Sequence, residues 1–272
     1  MINRMQSIKS QVINNSPLIH CITNPISIND CANAVLAVGA KPIMAEHPQE
    51  VAEITANSAA LAVNLGNITD VRMESMMISG KVAHENYIPS ILDAVGVGCS
   101  KLRLGFAKQF IQENKPTVIK GNMSEIKTIA GVTADSIGID VGNDDRITVA
   151  TIKDNLKIMQ ELSQKTGAVI LATGETDLIV LGSNAYLVEN GVKMLSGITG
   201  TGCMLNVLIA CYLSSNEPIE ATILATTMLG IAGELAETQQ GTGSFHVRLL
   251  DFLSIMTDEQ WKQKVKLTEV RL

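Results

Sequence analysis

Aromatic side chains are scarce in this chain: one Trp, three Tyr and four Phe among 272 residues. Positive charge is in deficit as well, with 21 Lys and Arg against 27 Asp and Glu and a formal net charge of −6. Bases find little to stack on and phosphodiesters little to pair with, which excludes nucleic acid as the main partner. The five cysteines (Cys21, Cys31, Cys99, Cys203 and Cys211) form an odd set without C-x-x-C spacing. That excludes a disulfide framework and a zinc ribbon, fits a reducing, cytoplasmic setting, and leaves most of them as small buried apolar residues. Residues 1–12, MINRMQSIKSQV, never develop an apolar h-region, so no secretory signal is expected. The uncharged stretch 194–216 is long enough to span a bilayer, but Ser196-Gly-Ile-Thr-Gly-Thr-Gly202 is small and polar and reads as a loop. What remains, 203–213, reads as a buried core helix, and no membrane partner is expected.

What the chain has in plenty is apolar material, 46% against 18% charged, enough for a large core and incompatible with disorder. Short apolar runs alternate with longer amphipathic segments, the pattern of an α/β fold: a mostly parallel sheet with helices on both faces. The runs predict strands at 18–22, 42–44, 61–65, 90–93, 117–120, 168–172, 178–181 and 185–189. Helices are expected at 2–13, 28–38, 48–56, 70–85, 102–112, 124–130, 152–164, 203–213, 219–239 and 245–254. The last two strands are separated only by Gly182-Ser183-Asn184, so they read as an antiparallel hairpin. The Gly-, Asp- and Thr-rich stretch 131–145 reads as a surface loop with a short helical turn. No repeat is visible, and residues 1–272 are taken as one domain.

Three Gly-x-Gly pairs occur, at 96–98, 200–202 and 241–243, but Lys101, Leu205 and His246 stand where a third glycine would complete a dinucleotide fingerprint. No Walker-type P-loop exists either. The strongest phosphate-binding candidate is Thr199-Gly200-Thr201-Gly202-Cys203, directly before the apolar helix. Glycines there let backbone N–H groups converge on one point at the positive helix end, and Cys203 falls in the first turn, where thiols are activated. The alternative is a turn that only starts a buried helix. Lys120-Gly121-Asn122-Met123-Ser124-Glu125 ends a strand and opens a helix, where open α/β sheets bind ligands; Glu125 could equally be a capping residue. Asp93 ends another apolar strand. Together, Asp93 and Glu125 suit magnesium, which takes few protein carboxylates and completes its shell with water and phosphate oxygens, unless they are two unrelated solvated acids.

His20, His47, His84 and His246 show no metal-ligand spacing, and no G-x-S-x-G elbow is present, so zinc hydrolysis and serine hydrolysis lose support. Met73, Met76 and Met77 on one expected helix read as core filling.

Taken together, Asn122-x-x-Glu125 after a strand and Gly200-x-Gly202-Cys203 at a late helix start resemble the ribokinase-like kinases. Most of those carry Asp where this chain has Cys203. The Cys, set in Thr199-Gly-Thr-Gly-Cys-Met-Leu205, is similar to the hydroxyethylthiazole kinases, as are His20-Cys-Ile-Thr-Asn24, Gly39-Ala-Lys-Pro-Ile-Met-Ala45, Asn64-Leu-Gly66, Thr173-Gly-Glu-Thr-Asp177 and Gly243-Ser-Phe245. The resemblance covers roughly residues 10–255. It implies a ribokinase-like three-layer fold, and transfer of the ATP γ-phosphate to the hydroxyl of 4-methyl-5-(2-hydroxyethyl)thiazole with Mg2+. It also implies a homotrimer with pockets at subunit interfaces. By position, Asn24, Met44 and Gly200 would line the thiazole pocket. Lys120, Asn122 and Thr173 would contact ATP, Asp93 and Glu125 would act on the metal, and Gly200, Thr201, Gly202 and Cys203 would hold the transferring phosphoryl group.

Two positions depart from that family's usual pattern. Lys120 stands where Arg is usual, giving a point charge in place of a planar fork. Ala94 follows Asp93 where Pro is usual, which removes a backbone constraint. Both bear on nucleotide affinity more than on reaction type. Rival readings are a hydroxymethylpyrimidine-type kinase, a thiol-dependent acyl-transfer enzyme using Cys203 with His20 or His246 as base, and a binding protein without turnover.

Overall fold

The structure is a computed structural model and describes residues 1–132 and 152–270. Helices and strands alternate through the first two thirds: α1 (Ile2–Asn15), β1 (Leu18–Ile22), α2 (Ile28–Ala37), β2 (Lys41–Ile43), α3 (Val51–Ala56), β3 (Ala60–Asn64), α4 (Asp70–Glu85), β4 (Ser90–Asp93), α5 (Lys101–Asn114), β5 (Val118–Asn122), α6 (Met123–Ala130), α7 (Ile152–Thr166) and β6 (Val169–Thr173). The hairpin β7 (Asp177–Leu181) and β8 (Asn184–Val188) follows, then α8 (Thr201–Leu213), α9 (Pro218–Ala236), α10 (Thr242–Ile255), α11 (Asp258–Lys264) and β9 (Leu267–Val270). Among the described residues nine strands form one sheet, ordered β2-β1-β3-β4-β5-β6-β7-β8-β9. Neighbours from β2 to β6 run parallel, and those from β6 to β9 antiparallel.

Side chains alternate across a strand, so each buried strand feeds two cores. Ala60, Ala62, Ile91, Val118 and Leu171 face α1, α2, α8, α9 and α10. Leu61, Val63, Leu92, Ile119 and Ile170 face α4, α5, α6 and α7, where Met76 is buried and Met73 and Met77 pack against the cluster. This is the expected α/β arrangement of a sheet between two helical layers, and the methionines are core residues.

At the C-terminal edge of the sheet the first face changes character. The alternation Ala60-Ala62 continues to Asn64, Ile91 to Asp93 and Val118 to Lys120, and the register sets Asn64 beside Asp93 and Asp93 beside Lys120. Three adjacent strands thus carry one polar row near their C-terminal ends, under the N-terminus of α8.

The expected elements recur with shifted ends. α8 starts at Thr201, two residues before the expected Cys203, because Gly200 takes a left-handed φ of 90° and serves as N-cap; a Cβ there would lie 3.2 Å from Ser27 Cβ. α3 begins at Val51, with 48–50 as a turn, and α9 ends at Ala236. The sequence reading missed α11, whose ends are tied by a Thr257–Gln260 capping box, the short edge strand β9, and a 3-10 turn at Lys193–Gly197. The expected loop at 131–145 lies, from 133 on, outside the described residues. Among the described residues the helix long and apolar enough to cross a membrane is α9, and it is buried inside the fold, as is α8 from Met204 to Leu213. All five cysteines are free; Cys21, Cys31 and Cys211 are buried, Cys203 is half-buried and Cys99 exposed.

Candidate active site

The polar row is one connected network. Lys120 Nζ lies 2.8 Å from Asp93 Oδ2, with both side chains almost fully buried. Asn64 Nδ2 donates to the same Asp93 oxygen at 2.9 Å. Asn24, two residues past β1, donates through Nδ2 to Asn64 Oδ1 at 3.2 Å and to Cys203 Sγ at 3.1 Å. Its own Oδ1 is held by the Ser27 N–H and hydroxyl. Burial opposes the Lys120 ammonium, but the charge and hydrogen bond of Asp93 outweigh it and hold its pKa above the ordinary lysine value. The lysine is therefore a fixed cation at neutral pH. A Cβ on Gly202 would come 3.6 Å from Lys120 Nζ, so the ammonium approaches the first turn of α8, where unpaired N–H groups point. A helix N-terminus and a buried lysine converging on one place favour an anion.

Glu125 is a capping residue, the alternative left open by sequence. Its Oε2 accepts the Asn122 N–H at 2.7 Å while Asn122 Oδ1 accepts the Glu125 N–H at 2.8 Å, a complete capping box. Its Oε1 accepts from Gly96 N at 2.7 Å, joining α6 to the turn after β4. Burial pushes the Glu125 carboxyl up, against the pull of these two N–H groups, and Asp93 adds to the rise while Lys120 opposes it. The Asn122 side-chain oxygen Oδ1 is likewise committed to its helix, and Thr201 Oγ1 donates to Leu195 O at 3.1 Å, so these side chains shape the backbone there. Thr173 pairs in register with Asn122 at the ends of β6 and β5 and donates to Gly121 O at 3.3 Å.

These donors fit magnesium only in part. Among the described residues no cluster of three or more His, Cys, Asp or Glu could enclose a metal. Asp93 Oδ1, however, is buried without a hydrogen-bond partner, while Oδ2 is saturated by Asn64 and Lys120. One free carboxylate oxygen near a helix N-terminus, whose field favours anions, fits a cation that keeps most of its water and takes phosphate oxygens. Glu125, with both oxygens on N–H groups, fits only an outer role through water.

Ala94 does not loosen this corner: it is buried, and its N–H donates to Lys120 O at 2.8 Å, a tie that proline could not make. Met44 follows β2, half-buried, and its neighbour Ala45 has its carbonyl held 3.0 Å from His20 Nε2. The other His20 ring nitrogen is 2.8 Å from Thr55 Oγ1. Burial lowers the His20 pKa despite the Ala45 bond and the Glu50 charge, so the ring is neutral and structural. His246 Nε2 lies 3.1 Å from Asp30 Oδ1. Among the described residues neither histidine hydrogen-bonds Cys203, whose partners are the Asn24 and Asn64 amides, so the thiol–histidine reading lacks its base. Sequence reasoning quoted Asn64 only within the Asn64-Leu-Gly66 resemblance and gave it no role, although it sits at the centre of the network. A signal for Asn64 was present: a polar residue replaces the apolar one at the last same-face position of β3, as in β4 and β5.

The chain matches the hydroxyethylthiazole kinase family over residues 9–259. It is 55% identical over 262 residues to "Hydroxyethylthiazole kinase 2" of Clostridium botulinum, covering 96% of this chain and 97% of that protein. It is 42% identical to "Hydroxyethylthiazole kinase 1" of Methanosphaera stadtmanae, covering 94% and 93%. Among solved structures, a hydroxyethylthiazole kinase protein from Pyrococcus horikoshii superposes with a TM-score of 0.89 at 30% identity, over 99% of this chain and 100% of that one. The pyridoxal kinase of Staphylococcus aureus with ADP gives 0.62 at 13% identity over 93% and 98%, a likeness of fold alone.

Proposed function

The chain belongs to the hydroxyethylthiazole kinase family, an alcohol phosphotransferase family, and from that premise we propose how its own residues phosphorylate 4-methyl-5-(2-hydroxyethyl)thiazole with ATP. The observation that carries the reading is the convergence of the Gly200–Cys203 helix start, the Lys120 ammonium and the Asp93 carboxylate at one edge of the sheet.

Phosphoryl transfer needs positioning and charge neutralisation more than covalent chemistry. The N–H groups of Gly200 to Cys203 receive the transferring phosphoryl group, and Lys120 supplies the fixed positive charge beside it. Asn122 and Thr173 end the adjacent strands on the nucleotide side. Asn24, Met44 and Gly200 border the thiazole: Asn24 as a fixed amide, Met44 as apolar contact, Gly200 as a residue without side chain. Cys203 Sγ, oriented by amide donors, faces the alcohol as an acceptor and forms no bond to phosphorus. Magnesium, when bound, neutralises phosphate oxygens; Asp93 Oδ1 would hold it, directly or through water, with Glu125 acting only through water.

Residues 1–272 form one catalytic domain in this reading, supported by the single sheet and a family match spanning most of the chain. The active form is a homotrimer with pockets at subunit interfaces; exposed Ile26, Leu36 and Val247, on and beside α2 and α10, support an assembly there. Five free thiols support a cytoplasmic setting. The test is mass spectrometry of the thiazole alcohol incubated with folded protein and Mg-ATP: the monophosphate is expected, and its absence under excess magnesium would refute the reading.

A further inference from the structure

We propose that Asn64 is a positioning residue for the transfer, holding the Cys203 sulfur and the Asp93 carboxylate in fixed relation; the inference rests on the kinase reading above. Asn64 is fully buried at the end of β3 and uses both ends of its amide. Oδ1 accepts from Gly66 N at 2.8 Å and from Asn24 Nδ2 at 3.2 Å. Nδ2 donates to Asp93 Oδ2 at 2.9 Å and to Cys203 Sγ at 3.5 Å. An Asn amide offers two N–H donors and two lone pairs, so the side chain is saturated. A flipped amide would set oxygen against the Asp93 carboxylate and NH2 against the Gly66 N–H, so one orientation alone satisfies the site.

Two consequences follow. Asp93 Oδ2 is filled by Asn64 and Lys120, which leaves Oδ1 as the carboxylate's unpartnered oxygen. Cys203 Sγ sits between the Asn24 and Asn64 amides, its direction set by elements other than its own helix. The frame around this contact is also pinned. Asn206, one turn into α8, donates to Val63 O at 3.3 Å, tying the helix to the residue before Asn64. Gly66 leaves no slack, since a Cβ there would lie 2.8 Å from Asn64 Oδ1 and 3.0 Å from Asn24 Nδ2. A residue needed only for packing would not require a donor face toward two reacting-site groups.

The test compares the wild-type chain with Asn64→Asp and Gly66→Ala. The first keeps the acceptor toward Gly66 and Asn24 but replaces the donor by a carboxylate oxygen. The second adds no charge and displaces the two amides. Two readouts are taken: alkylation of Cys203 by iodoacetamide in the ligand-free protein, mapped by peptide mass, and steady-state kinetics of the thiazole alcohol with Mg-ATP. Outer-sphere partners of a reactive centre typically govern about 10–100-fold in activity. A kcat loss in that range is expected for Asn64→Asp, with both KM values within about threefold, because positioning is lost and not ground-state binding. Cys203 alkylation is expected to slow at least about threefold, as an anionic oxygen replaces an N–H donor beside the sulfur. Gly66→Ala is expected to lower kcat in the same way, and it carries the kinetic test if Asn64→Asp does not fold. Wild-type kcat and wild-type Cys203 reactivity in folded variants that only melt earlier would assign Asn64 to packing and overturn the inference. A wild-type protein without kinase activity would instead overturn the reading beneath it, and the alkylation rates separate the two failures.

Discussion

Removing the Lys120 ammonium while keeping its stem, as in Lys120→Met, leaves the Asp93 carboxylate buried with Asn64 as its remaining donor. Both partners of the pair are almost fully enclosed, at 5% and 3% side-chain exposure and 2.8 Å apart. Breaking such a pair from one side costs about 3–5 kcal/mol, most of it the stranded charge. For a chain of this size about 1 kcal/mol moves Tm by roughly 2–4 °C, so a fall of about 6–20 °C is expected. Lys120→Met with Asp93→Asn removes both charges and should recover most of that loss, because an amide tolerates burial among Asn64 and its neighbours. The double variant should still be inactive, having lost the cation beside Gly202 and the free oxygen of Asp93. The assay is calorimetry of the three proteins with kinetics run alongside. A Lys120→Met protein that melts with the wild type would show the pair to be solvated and the reasoning wrong, and an active double variant would remove both groups from the site.

Glu125→Gln puts an NH2 where an N–H donor points, at Asn122 or Gly96, so it should lose about 1–3 kcal/mol of stability as well as turnover, by denaturation and kcat; a variant as stable as wild type contradicts the capping geometry. Cys203→Ser and Cys203→Asp should both retain measurable kinase activity, since each keeps an acceptor facing the alcohol; a dead Asp variant with a phosphorylated thiol trapped in wild type favours a covalent path. Burial raises the Asp177 carboxyl to about 7, against the Gly174 N–H and the Lys120 charge. The folded state then binds more protons than the unfolded state between the ordinary carboxylate pKa of about 4 and pH 7. Asp177's contribution therefore favours folding at low pH and is lost as pH rises through that window. The Tm of wild type relative to Asp177→Asn should fall from pH 5 to pH 8, and a flat difference would contradict the shift.

The order of elements was legible because each parallel strand is an apolar run too short for a helix, and each crossover is long enough for one. Length served less well at the end of the chain. β9 offers only Leu-Thr-Glu-Val, held by pairing with β8 and not by burial, and α11 is a single capped segment before it. Of the site, Gly200 to Cys203 could be seen because glycine before an apolar helix has few other uses, and Asp93 and Lys120 because charged residues ended apolar strands. That these two pair with each other is a matter of register, which a single strand's sequence does not carry. Asn64 stayed hidden for the same reason: its meaning lies in Asn24, Asp93 and Cys203, which are brought to it by β1, β4 and α8. Glu125 shows the converse case, in which residue type suggested a ligand and the local backbone claimed both oxygens.

The most direct test of one-step transfer from nucleotide to alcohol at this helix start is the stereochemical course at phosphorus. ATP made chiral at the γ-phosphorus with oxygen isotopes is turned over with the thiazole alcohol, and the configuration of the product monophosphate is determined by 31P NMR. Inversion is expected from a single in-line displacement with Cys203 as acceptor only. Retention would require two displacements and a phosphorylated enzyme group, and would contradict direct transfer.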